Sequence, residues 1–141
     1  MIILDTNVIS DLLAPSPSPM VEAWLAAQPP LAIFTTATTE AEILYGLRLL
    51  PAGRRRSELE AAILPIFEED FAGRILPFDS EAAGAYSFIA TSRRRAGKPI
   101  SQFDAQIAAI VASRGATLAT RNVSDFLDTG IAVVNPWDYR G

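Results

Sequence analysis

Five short apolar runs, each separated from the next by helix-forming stretches, constrain this chain more than any other feature. They are residues 1–5, Leu31-Ala-Ile-Phe-Thr, Arg74-Ile-Leu-Pro-Phe, Thr117-Leu-Ala-Thr and Ile131-Ala-Val-Val. Runs this short and this apolar read as buried strands, and strands that alternate with helices argue for an α/β domain with a largely parallel sheet. Between them, a short helix is expected over 7–13 and a second from Met20 to Ala27, ended by Pro29-Pro30. Apolar residues at 43, 44, 47 and 50 give Thr39–Leu50 a helical stripe. Gly53 and the Arg run after it mark a turn or an exposed helix start, with helix from Ser57 and a kink or break at Pro65. Asp79 and Ser101 are placed to cap two further helices, one reaching about Arg95, the other carrying the stripe Phe103, Ile107, Ile110 and Val111. The chain has 141 residues, half of them hydrophobic, without repeats or a domain-splitting linker, so a single domain over 1–141 is expected.

Composition narrows the chemistry. There is no His and no Cys, so there is no Ser-His-Asp triad, no thiol nucleophile and no His or thiolate zinc site. Carboxylates remain as acids, bases and ligands, and oxygen-only sites suit Mg²⁺ or Mn²⁺. Sixteen acids against twelve bases give a net charge of −4, yet seven of the bases lie in Arg54-Arg55-Arg56 and in Arg93, Arg94, Arg95 and Lys98. A local basic face is therefore compatible with an acidic whole. No apolar run reaches the roughly 18 residues of a membrane span, the first apolar stretch is too short for a signal sequence, and the lack of Cys fits the cytoplasm.

Open α/β sheets bind ligands beyond the carboxyl ends of their strands. Asp5 ends the first strand there, and Thr120-Arg121-Asn122 follows another. Asp5 reads either as the cap of the next helix or as a metal ligand, with Thr6 and Asn7 positioned to orient it. Glu42 fits a capping box that begins at Thr39. Asp104 stands three residues after Ser101, near the apolar stripe of its helix and in the favourable field of the helix N-terminus. Asp125 follows Ser124 in a possible turn. Two carboxylates about 5 Å apart repel by roughly 3 kcal/mol at an effective dielectric of about 20. If these four acids meet, a divalent cation is the simplest group that keeps them ionised.

Ile3-Leu-Asp-Thr-Asn-Val-Ile-Ser, Thr39-x-x-Glu-Ile-Leu-Tyr-Gly, Asp104-Ala-Gln-Ile-Ala-Ala, Leu118-Ala-Thr-Arg-Asn-x-x-Asp-Phe and the tail Val134-Asn-Pro-Trp occur in order along nearly the whole chain. This set resembles the PIN-domain family, and within it the VapC/FitB-type toxin ribonucleases of toxin–antitoxin pairs. The resemblance implies a five-stranded parallel sheet with helices on both faces. It implies an acidic pocket that binds Mg²⁺ or Mn²⁺ and hydrolyses RNA phosphodiester bonds. It carries metal and catalytic roles onto Asp5, Glu42 and Asp104. Many relatives place the fourth acid where this chain has Asn122, which makes Asp125 the substitute. Thr6, Asn7, Thr120 and Asn122 are the orienting candidates. A small antitoxin with a DNA-binding domain and a second copy of the chain are the implied protein partners, with Trp24, Tyr45 and Leu47 as candidate contacts. The two Arg clusters are candidates for flanking RNA phosphates, against a plain role of Arg93-Arg94-Arg95 as a solvated helix end.

The competing readings are a receiver-like signalling domain, suggested by acids after the first strand and by Lys98-Pro99, a non-catalytic subunit of the same fold, and a metal-dependent phosphatase or DNA nuclease.

Overall fold

The computed structural model describes residues 1–141. Its sheet contains β1 (Ile2–Leu4), β2 (Ile33–Thr36), β3 (Ile75–Leu76), β4 (Thr117–Ala119) and β5 (Ala132–Val134), in the order β3-β2-β1-β4-β5. Every neighbouring pair is parallel. Successive residues of a strand face opposite sides of the sheet. Ile3 and its register partner Leu118 therefore join one core, with Ile89, Ile107, Ile110 and Val111. Leu4 and its partner Ala119 join the other, with Val8, Ile9, Val21 and Trp24. Burial on both faces explains why the strands read as unbroken apolar runs.

Six helices cover the sheet: α1 (Thr6–Leu12), α2 (Pro19–Ala26), α3 (Ala37–Leu49), α4 (Arg54–Pro65), α5 (Ser80–Arg95) and α6 (Gln102–Ser113). Asp79 and Ser101 cap α5 and α6 as expected, accepting from the Ala82 and Asp104 amides. Ala105 and the run from Ile107 to Val111 are fully buried in α6, so this helix is enclosed on nearly all sides. Phe103 does not belong to that stripe; it is half-exposed one turn earlier. The strand expected from Leu31 begins only at Ile33, because Pro30–Ala32 forms a 3₁₀ turn. The run at 74–78 pairs only over Ile75–Leu76. Helix α4 starts already at Arg54, and Pro65 ends it without a stop, since the chain continues into a π-helical turn over Ile66–Asp70.

The strand order separates this fold from receivers, whose flavodoxin-like order is 2-1-3-4-5. Here the chain runs outward from β1 through β2 to β3, then returns to β1 and runs the other way through β4 and β5. The direction reverses between β1 and β4, and beyond the carboxyl ends of strands at such a switch is where sheets of this kind bind ligands. No helix is long and apolar enough to cross a membrane. Of the candidate partner contacts, Trp24 and Leu47 are buried, whereas Tyr45 is exposed.

Candidate metal centre

Asp5 stands at that switch, directly after β1. Its amide still donates to Ala119 O at 3.0 Å, so the sheet ladder carries it to the strand end before α1 begins. Its carboxylate is 4% exposed and accepts from three donors. The Thr6 amide reaches Oδ1 at 2.8 Å, the Thr120 hydroxyl reaches Oδ2 at 2.8 Å and Asn7 Nδ2 reaches Oδ2 at 3.2 Å. The capping reading of Asp5 is met by Oδ1, which caps α1, while Oδ2 is held across the switch by Thr120 at the end of β4. Asn7 ties the two sides together, donating also to Thr120 Oγ1 at 3.1 Å and accepting from the Arg121 amide at 3.0 Å. Asn122 enters through its backbone, its amide donating to Thr120 Oγ1 at 3.1 Å.

Glu42 does not form the expected capping box. Helix α3 starts at Ala37, two residues before Thr39, and its cap is Thr36, which accepts from the Thr39 amide. Glu42 instead accepts from the Thr6 hydroxyl at 2.8 Å, with Thr39 Oγ1 at 3.1 Å from the same hydroxyl. A hydroxyl has one proton. Thr6 spends it on Glu42, so Thr39 donates to Thr6, and the three side chains form a directed relay ending at the carboxylate. A second polar pair joins the helices that carry the acids: the Thr38 hydroxyl on α3 lies 3.1 Å from Gln106 Oε1 on α6.

Asp104 sits half-buried in the first turn of α6. Asp125 lies in a 3₁₀ turn over Val123–Phe126 and is exposed. What holds that turn is Arg93, which is 8% exposed and not the solvated helix end expected. Its guanidinium donates to Asp125 O at 2.9 Å, Leu127 O at 2.8 Å and Lys98 O at 2.7 Å. Arg93 is thereby removed from the set of cations open to a substrate.

Burial pushes the Asp5 carboxyl up from 3.8 to about 6, opposed by its hydrogen bonds from Thr120 and Thr6 and reinforced by the charges of Asp104 and Glu42. Burial also raises Glu42, with Asp104 adding to it. Burial raises Asp104 as well, with Asp125 reinforcing and Ser101 and Arg93 opposing. Asp5, Glu42 and Asp104 thus sense one another, while Asp125 touches the group electrostatically through Asp104. None of the four is in an ion pair, and no three of them converge as a ready-made chelate. An oxygen-only donor set with excess negative charge suits Mg²⁺, which keeps several waters and needs only one or two carboxylates.

Thr36, Thr38, Thr39, Gln106 and Arg93 complete this neighbourhood and were not singled out from the sequence for these roles. A signal existed for the threonines: Thr35-Thr36-Ala-Thr38-Thr39 puts four hydroxyls directly at the carboxyl end of an apolar run.

The PIN domain family model matches residues 2–131. VapC ribonuclease Y4jK of Sinorhizobium fredii is 40% identical over 142 residues, spanning 98% of this chain and 99% of its own. Toxin FitB of Neisseria gonorrhoeae is 41% identical over 141 residues, spanning 97% and 99%. Among solved structures, FitAB bound to an IR36 DNA fragment superposes with a TM-score of 0.87 at 39% identity, covering 100% of this chain and 99% of that one. Identity at this level, sustained from end to end on the same fold, establishes that the chain belongs to the PIN-domain family, in the VapC/FitB branch.

Proposed function

We propose that this protein is a divalent-metal-dependent endoribonuclease, the toxin of a type II toxin–antitoxin pair. The observation that carries the reading is Asp5: a buried carboxylate with three oriented donors, two acidic neighbours and no cationic partner. An isolated buried charge of this kind is costly unless a cation joins it. The names of its relatives, a ribonuclease and a toxin at about 40% identity, support the substrate class and the biological role.

Asp5 and Asp104 are the proposed anchors for Mg²⁺ or Mn²⁺, and Glu42 completes or positions the set. When bound, such a cation polarises the scissile phosphate and eases deprotonation of the attacking water. Thr120 and Asn7 fix Asp5 Oδ2. The Thr39–Thr6 relay fixes Glu42, which is the proposed acceptor of the water's proton because burial already favours its protonated form. Arg93 sets the turn that carries Asp125, the proposed outer acid. The FitAB complex on DNA supports pairing with a DNA-binding antitoxin, and a homodimer and a cytoplasmic RNA target complete the proposal.

The test is cleavage of RNA, single-stranded DNA and a phosphate monoester by wild type and Asp5→Asn, with and without Mg²⁺. Metal-dependent RNA cleavage lost in the folded variant is expected. Full activity of folded Asp5→Asn refutes the assignment, and preference for DNA or the monoester refutes the substrate class.

A further inference from the structure

The tail motif Val134-Asn-Pro-Trp and the Arg of Thr120-Arg121-Asn122 have no part in the acid pocket, yet the fold brings them together. Arg121 follows β4 and Trp137 follows β5, so both stand at the carboxyl edge of the sheet, on the side of Asp5 away from Glu42. The Arg121 guanidinium carbon lies 5.1 Å from the centre of the Trp137 ring. Each residue has a fixed base. The Arg121 amide donates to Asn7 Oδ1 at 3.0 Å, and Asn7 also holds Asp5. The Trp137 amide donates to Asn135 Oδ1 at 3.0 Å, which locks the 3₁₀ turn after β5.

Several other cations are engaged elsewhere, while Arg55, Arg94, Arg95 and Lys98 are exposed without a fixed orientation. Arg93 is consumed by three carbonyls. Arg54 and Arg56 pair with Glu58 and Glu60 on their own helix. Arg114 stands 3.8 Å from Asp79, and Arg74 donates to backbone carbonyls. Arg121 is exposed, has no carboxylate partner and is tied through one side chain to the buried acid. A guanidinium placed over an aromatic ring is attracted to its face and pre-oriented, and its N–H donors remain available to two oxygens.

We propose that Arg121, oriented by Trp137, is a phosphate-binding subsite for the RNA strand, gripping a phosphate beside the scissile one on the β4–β5 side. The proposal rests on the ribonuclease reading for the identity of the strand. It contributes to drawing a polyanion to an acidic pocket: an unneutralised cation is placed over Trp137, with its backbone held by the residue that orients Asp5. The grip is a binding contact made equally before and during reaction, so its loss raises KM and spares kcat. Lys at the same place keeps the charge and loses the flat stacked fork.

The test measures binding of oligo(A) RNA by fluorescence anisotropy across a salt series, in an Asp5→Asn background that does not cleave. Arg121→Ala is expected to weaken binding by about tenfold and to lower the slope of log K against log salt by about 0.7, the value for one phosphate contact on a single strand. Arg121→Lys retains the slope with weaker binding, and Trp137→Leu weakens binding with the slope kept. In the active background Arg121→Ala raises KM about tenfold with kcat within about twofold. An unchanged affinity and slope in Arg121→Ala, with unchanged KM, overturns the subsite while leaving the ribonuclease reading intact. A wild type that leaves RNA uncut, yet shows the Arg121-dependent slope, overturns the nuclease reading and upholds the subsite.

Discussion

Replacing Asp5 by Asn removes a buried charge and retains the shape of the side chain. The capping contact with the Thr6 amide survives, since Asn is as good a helix cap as Asp. The Asp5 carboxyl titrates near 3.8 in the unfolded chain and at about 6 in the fold. Its folded pKa is raised, so the stability it contributes is fully present below 3.8 and lost as pH rises through 6. At about 1.4 kcal/mol per pH unit, that interval costs the metal-free protein about 3 kcal/mol at neutral pH. Asp5→Asn escapes this cost, but with its oxygen on the Thr6 amide it turns an NH2 group towards the Thr120 hydroxyl and Asn7 Nδ2, both donors to Oδ2 in wild type, which offsets part of the gain at every pH. Relative to chelator-treated wild type, the chelator-treated variant is therefore expected to gain stability as pH rises. Integrating the two titrations, the gain grows by about 1.4 kcal/mol between about pH 5 and about pH 8. Urea unfolding followed by circular dichroism at both pH values reads it directly. Saturating Mg²⁺ then stabilises wild type through binding to the native state and narrows or reverses the difference. A stability difference between variant and wild type that is identical at both pH values refutes the argument that burial of an unneutralised charge shapes this site.

Thr6→Val keeps the volume at the start of α1 and removes the donor to Glu42; kcat is expected to fall by about 10–100-fold with the unfolding midpoint little changed. Arg93→Met empties the three-carbonyl clamp, and urea unfolding is expected to show a loss of about 2–4 kcal/mol, as for other buried hydrogen-bonded cations. Ile107→Ala leaves a cavity in the core between α6 and the sheet, costing about 2–5 kcal/mol by the same assay. Chelation abolishes RNA cleavage, and restoring Mg²⁺ or Mn²⁺ recovers it in a gel assay; activity that persists after exhaustive chelation refutes the metal requirement.

What the sequence made legible was local. The five strands are apolar because both faces of the sheet are covered, and the caps at Asp79 and Ser101 need only the next three residues to be recognised. Asp5 was legible for the same reason, as a charge at the end of such a run. The cap of α3 was not. Thr36 and Thr39 both satisfy the local rule, and the choice was made by Thr6, 33 residues away from Thr39, which turns Glu42 outward from its own helix start. Arg93 read as exposed, either a solvated helix end or a contact for RNA phosphates, because it stands in one of the chain's basic stretches at the end of a helix. Its burial depends on carbonyls 32 and 34 residues further on, to which no periodicity points. The cation–aromatic pair of Arg121 and Trp137 is likewise a product of two adjacent strand ends, not of either segment.

The hydrogen bond between Thr120 and Asp5 joins residues 115 positions apart, and β1 is the central strand whose second neighbour is β4. Chain growth gives this pairing a temporal meaning. At about 5–20 residues per second, the first strand waits roughly 6–23 s for its partner to be made. Until then β1 has one edge open and Asp5 lacks the hydroxyl that orients it. A ribosome-bound chain thus carries the first acid before a working centre can form around it, and acquires the capacity to cut RNA only after β4 has been made.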